Sequence, residues 1–90
     1  MDTVRMRYNF VGRVQGVGFR YTAYYVAKQL DLTGFVMNED DGSVTMEIQG
    51  TEEQFDQVIL ALERGRYIRI ENLETRTIPI VEDDRGFHAI

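Results

Sequence analysis

The chain has 90 residues, 43% of them apolar and 11% aromatic, and a formal net charge of −5, which fits one small domain with a single two-layer core. It has no cysteine and one histidine, and this excludes disulfides, thiolate chemistry and the common transition-metal clusters. No apolar run approaches the length of a membrane span and no leader pattern opens the chain, so a soluble, cytoplasmic protein that makes no use of a membrane is expected.

The charge is uneven. Residues 1–30 carry Arg5, Arg7, Arg13, Arg20 and Lys28 against Asp2 alone, a local +4 that leaves −9 for the remainder. An acidic chain is a poor general binder of nucleic acid, whose binding is driven by phosphate neutralisation. A positive field local to the first third would still favour a small anion.

Val4, Met6, Tyr8 and Phe10 alternate with Arg5, Arg7 and Asn9, the period of a strand with one buried face. A glycine-rich loop follows. Phe19, Ala23, Val26, Ala27 and Leu30 then recur at helical spacing. Thr33-Gly34 is expected to break that helix, with Phe35 to Asn38 as a short second strand. Asp41-Gly42 is a hairpin turn signal, and Val44, Met46 and Ile48 form the returning strand. Thr51 and Gln54 have the form of a capping box, which predicts a second helix with Phe55, Val58, Ile59 and Leu62 buried and Gly65 as its C-terminal cap. Tyr67 to Thr77 reads as a fourth strand, irregular near Asn72. After Pro79 and an acidic connection, "FHAI" reads as a short edge strand. The order β-α-β-β-α-β plus one strand predicts an α+β, ferredoxin-like split β-α-β sandwich. Its sheet is mainly antiparallel with four to five strands, and both helices lie on one face. Residues 1–90 form a single domain on this reading.

In that topology the first two strands run the same way, so the glycine loop and Asn38 leave the sheet at one edge. Arg20 and Asn38 are thereby brought together, beside the loop amides and the positive end of the first helix. Such a loop is an anion nest, and a forked guanidinium clamps the same anion.

The blocks "GRVQGVGFR" and "LTGFVMNEDDGSV" resemble those of the acylphosphatase family, in the family's order and over essentially the whole chain. The resemblance implies hydrolysis of acyl phosphates to a carboxylate and inorganic phosphate, with no metal or organic cofactor. It implies that Arg20 binds the phosphate and Asn38 orients the attacking water. The cradle comes from the backbone of Gln15, Gly16, Val17, Gly18, Phe19 and Arg20. Position 18 varies among family members, so Gly16 and not Gly18 is expected to hold a special backbone angle. Phe35, Asp31 and Met37 depart from residues frequent in the family at those positions, and none of them is a catalytic position.

The chemistry suits so spare a site. The leaving carboxylate has a solution pKa of roughly 4 and departs without a general acid. Phosphoryl transfer is mostly positioning and charge stabilisation. An amide side chain both donates to and accepts from a water. Water then attacks phosphorus directly and no covalent intermediate forms.

Simpler readings stand beside these. Outside the motif Arg20 is a surface arginine and Asn38 a turn former. Tyr21, Tyr24 and Tyr25 are packing or rim residues rather than base-stacking groups, His88 is a bystander, and Glu39-Asp40-Asp41 is a solvated turn. The loop lacks the Lys-Ser/Thr of a P-loop and the acidic position of a dinucleotide fingerprint. The alternative function is a non-catalytic ferredoxin-like module that binds a small phosphorylated or anionic ligand. Presence of Asn38 beside Arg20 favours the enzyme, which is expected to work as a monomer.

Overall fold

Alternation and helical spacing translate directly into elements. The computed structural model describes residues 2–90. The chain runs β1 (Val4–Arg13), α1 (Phe19–Gln29), β2 (Thr33–Asn38), β3 (Val44–Gly50), α2 (Glu52–Glu63), β4 (Arg69–Ile78) and β5 (Phe87–Ala89). The sheet order is β4-β1-β3-β2-β5, antiparallel except where β5 pairs parallel to β2. This is the ferredoxin-like arrangement expected, with the last strand making the sheet mixed.

Tyr8 and Phe10 of β1, Val44, Met46 and Ile48 of β3 and Val36 of β2 face the helices. There they meet Phe19, Ala23 and Ala27 of α1 and Phe55, Val58 and Leu62 of α2 in one core. Phe19 packs edge-on against Phe10 at 4.8 Å, and Tyr8 against Phe55 at 6.5 Å. Edge-to-face pairs of this kind add about 0.5–1.5 kcal/mol to the burial of the rings. The Phe10–Phe19 pair therefore fixes the first residue of α1, and with it the end of the loop.

Two expectations about the strands need correction. Thr33 and Gly34 do not break the chain but open β2, with Gly34 paired to Ile48. A Cβ at Gly34 would lie 2.0 Å from the Glu47 carbonyl oxygen, so the glycine is there because β3 approaches closely. In addition, β1 continues past Phe10 to Arg13. Its register with β4 shifts between Val11 and Gly12, where Glu71 is left over between Ile70 and Asn72. That bulge is the irregularity expected near Asn72, although Tyr67 itself lies outside the strand.

The helix-free face is polar. Arg5, only 4% exposed, is paired with Glu47 (3.2 Å) and Asp84 (2.8 Å), and Arg7 with the other oxygen of Glu47. Asp84 belongs to the segment between β4 and β5, which links the two edges of the sheet. It crosses this face at the end remote from the glycine loop. There Val81 exchanges two hydrogen bonds with the Gln49 side chain, at 2.9 and 3.1 Å. The cations of residues 1–30 are thus divided: Arg5 and Arg7 are spent on this strap and on Glu47, and do not supply a field at the loop.

Candidate active site

Three strands, β1, β2 and β5, run in the same direction, and their C-terminal ends lie at one edge of the sheet. The glycine loop leaves β1 there, Asn38 ends β2 there, and Ile90 follows β5 there. The loop turns through Gly16 at φ 71° and Gly18 at φ 83° before entering α1. Here too an expectation is corrected, since Gly18 holds a left-handed angle just as Gly16 does. An added Cβ would meet nothing within 4 Å at either glycine. The angle, not lack of room, is what asks for glycine.

Gly18 is also the N-cap of α1, and no side chain caps this helix or places an acid in its first turn. The first intrahelical bond runs from Thr22 N–H to the Gly18 carbonyl. The amides before it point out of the helix start, towards the space between the loop and β2. Together with the helix dipole they make an anion-binding end.

That space is a pocket of about 170 Å³ lined by Val14, Gly16, Gly18, Phe19, Arg20, Tyr21 and Asn38. Arg20 and Asn38, eighteen positions apart, do meet at one cavity. Asn38 is exposed, and its side chain makes no hydrogen bond among the described residues, so its amide is available. Of the expected cradle, Gly16, Gly18, Phe19 and Arg20 line the pocket. The Val17 side chain packs against the core, while the cradle is expected of its backbone. Gln15 turns its side chain away, donating from Nε2 to the carbonyls of Glu39 (2.8 Å) and Ser43 (2.9 Å). It thereby ties the loop to the β2–β3 turn, directly beside Asn38.

The turn is itself closed by hydrogen bonds. Asp41 accepts from the Ser43 N–H and hydroxyl at 2.9 and 2.6 Å, and these bonds hold its carboxyl below the ordinary range. The Glu39 carboxylate accepts from the Thr45 hydroxyl. The acidic run is therefore part of a built turn, as expected. Among the described residues no group of three or more His, Cys, Asp or Glu is placed to hold a metal ion. His88 lies on β5 with Nε2 3.0 Å from the Arg85 carbonyl, and does not line the pocket.

Sequence reasoning missed one participant. Arg20 Nη1 donates to the main-chain oxygen of Ile90 at 2.6 Å, and Ile90 N–H donates to the Val36 carbonyl at 2.9 Å. The end of β5 thus holds the guanidinium at the rim of the pocket. Among the described residues this is the one hydrogen bond of the Arg20 side chain, leaving most of its five donors for a ligand. The available signal was "FHAI" itself, had its parallel pairing with β2 been foreseen.

Comparison with known proteins agrees with this geometry. A family model described as Acylphosphatase matches residues 6–89. A relative named acylphosphatase from Clostridium acetobutylicum is 35% identical over 81 residues, covering 89% of each chain. Another of that name, from Salinibacter ruber, is 38% identical over 86 residues, 94% of this chain and 90% of its own. The crystal structure of acylphosphatase from Bacillus subtilis superposes with a TM-score of 0.86 at 30% identity, over 97% of this chain and 98% of that one.

Proposed function

The chain belongs to the acylphosphatase family, a hydrolase of acyl phosphates that yields inorganic phosphate, and from that premise we propose how its residues carry out the reaction. The observation that carries the proposal is the shared pocket of Arg20, Asn38 and the uncapped start of α1. The phosphoryl group sits against the amides of the loop and helix start. Arg20 clamps two of its oxygens through the guanidinium fork. The main-chain oxygen of Ile90 positions that guanidinium and so lowers the entropic cost of forming the clamp.

Asn38, across the pocket, holds the attacking water through its carboxamide, accepting one hydrogen bond and leaving the water's lone pair towards phosphorus. Water attacks phosphorus and the acyl carboxylate leaves. With a solution pKa of roughly 4, this leaving group needs no proton from the protein. Charge that builds on the equatorial oxygens is met by donors already in place, which is the main catalytic term in such a site. The proton lost by the water passes to the phosphate oxygens. No step requires a metal, an organic cofactor or a covalent intermediate. In this reading residues 1–90 act as one domain, a cytoplasmic monomer that engages neither nucleic acid nor a membrane.

Product inhibition tests the assignment. Inorganic phosphate occupies the same cradle as the substrate's phosphoryl group, so it competes with acyl phosphate and raises KM at unchanged kcat. Inhibition that lowers kcat at constant KM would place the phosphate elsewhere and remove the assignment.

A further inference from the structure

The phosphate pocket is small and its rim is not uniform. Its volume is about 170 Å³. A phosphoryl group and the attacking water fill such a space. The acyl group, joined to the phosphorus through one bridging oxygen, must then lie outside the pocket and along its rim.

What borders the pocket there is aromatic. Tyr21 is the one ring that both lines the pocket and stands open to solvent, being 68% exposed. One helical turn further along α1, Tyr25 is 51% exposed, with its ring centroid 5.7 Å from that of Tyr21 at an interplanar angle of 35°. Beyond Tyr25 lies a second hollow, lined by Tyr24, Tyr25, Lys28 and Gln29. Across the loop, Gly16 and Gly18 present no side chain, and the space above both is empty to 4 Å. Two exposed rings in contact on a helix surface bury little of each other and do nothing for the core, which α1 meets through Phe19, Ala23 and Ala27.

We infer that Tyr21 and Tyr25 form the acyl-group platform of this enzyme, and that it selects acyl phosphates with a planar, apolar acyl group over small ones. The inference rests on the acylphosphatase reading of the pocket and adds its substrate class. A phenyl or comparable ring leaving the pocket mouth stacks on Tyr21 and reaches towards Tyr25, where an acetyl group touches neither.

The test is a ratio: kcat/KM for benzoyl phosphate over kcat/KM for acetyl phosphate, in the parent chain and in Tyr21→Ala, Tyr21→Phe and Tyr25→Ala. The parent should prefer benzoyl phosphate. Tyr21→Ala should lower the ratio about three- to tenfold, the range expected for loss of one aromatic pair. Tyr21→Phe should keep the ratio, because the ring face and not the hydroxyl makes the contact. Tyr25→Ala should lower it by a smaller factor. Exposed residues of this kind leave the fold intact, and thermal unfolding of each variant verifies it. Hydrolysis of both substrates with a ratio unmoved by Tyr21→Ala would overturn the platform while leaving the active-site reading in place. Hydrolysis of neither substrate by the parent chain would overturn that reading, and the platform with it.

Discussion

α2 begins with every device that satisfies a helix start. Thr51 accepts from the Gln54 N–H, Gln54 returns the bond to the Thr51 N–H, and Glu52 and Glu53 place negative charge in the first turn. α1 begins with none of them. Its cap is a left-handed glycine, its first turn has no acid, and its second residue is the cation Arg20. With glycine at the cap in place of a capping side chain, α1 forgoes a few tenths of a kcal/mol, as an order of magnitude, that α2 keeps. The burial of Phe19 against Phe10 offsets the loss and holds the open end in place. The lesson is that an uncapped helix start inside a well-packed fold leaves donors free for an anion, and under the proposed mechanism that anion is the substrate's phosphoryl group.

The strongest way to break the comparison is to disable the open end. Arg20→Ala removes the clamp from a group that is negative in both ground and transition states, so KM rises and kcat falls. The loss in kcat/KM should reach about 10³-fold, the scale seen when one key donor is removed from a phosphoryl or oxyanion site. Lysine at this position should rescue little, because a point charge cannot reproduce the fork. Asn38→Ala should abolish most turnover while inorganic phosphate still inhibits with near-normal affinity. Full turnover in that variant would remove the water-holding role. Steady-state kinetics with phosphate as competitor separates the two.

Disabling the closed end should do the reverse. Thr51→Ala is expected to cost about 1 kcal/mol of stability, or roughly 4–8 °C in Tm for a domain of this size, with kcat/KM unchanged. A large activity loss there would mean that the two helix starts are not functionally distinct.

The contrast extends to the other ends of the helices. α1 finishes in a Schellman closure, with Leu32 N–H to the Ala27 carbonyl at 2.9 Å and Asp31 N–H to the Lys28 carbonyl at 3.1 Å. This places Asp31 at φ 57°, a left-handed position that suits glycine. Asp31→Gly relieves that strain and removes a negative charge from a helix C-terminus. Against the extra freedom it gives the unfolded chain, a net gain of roughly 0.5–1 kcal/mol is expected by thermal unfolding.

The smallest effect is electrostatic and belongs to the capped end. Burial, with smaller contributions from the carboxylates of Asp56 and Glu52, pushes Tyr8 up to about 12. The folded value exceeds the unfolded one, so the protonated phenol favours the fold. That contribution is complete below about pH 10 and is lost as pH rises through about 12. An ultraviolet titration should show one tyrosine lagging behind the rest, and Tyr8→Phe should remove the lag and make the fold less sensitive to alkali.

Much of this was legible in the sequence because it is local. Alternation gave the faces of β1 and β3, and the capping box of α2 and the Asp41-Gly42 turn formed as read. Arg20 and Asn38 could be brought together by topology alone, since the first crossover makes β1 and β2 parallel. What was not legible depends on contacts far along the chain. Gly34 looked like a helix stop because the approach of Glu47 in β3 is invisible in the segment itself. Gly18 seemed replaceable because its angle is set by the way the loop enters α1. Arg5 and Arg7 looked available to an anion until Asp84 and Glu47 were seen to claim them. Ile90 escaped notice because its contact is made by a main-chain oxygen, which no residue type advertises.

The placement of that oxygen has a further consequence. β5 has three residues, of which Phe87 alone is buried, and its neighbours Gly86 and Ile90 each add one backbone bond to β2. Such a segment opens at far lower free energy than the core unfolds. Yet it carries the group that holds the arginine, while the arginine itself stands on a helix locked by Phe19. The two partners of one hydrogen bond therefore belong to different thermal regimes. Warming is expected to release the guanidinium while the sheet, both helices and the loop remain in place, so activity followed against temperature should fall before the unfolding transition.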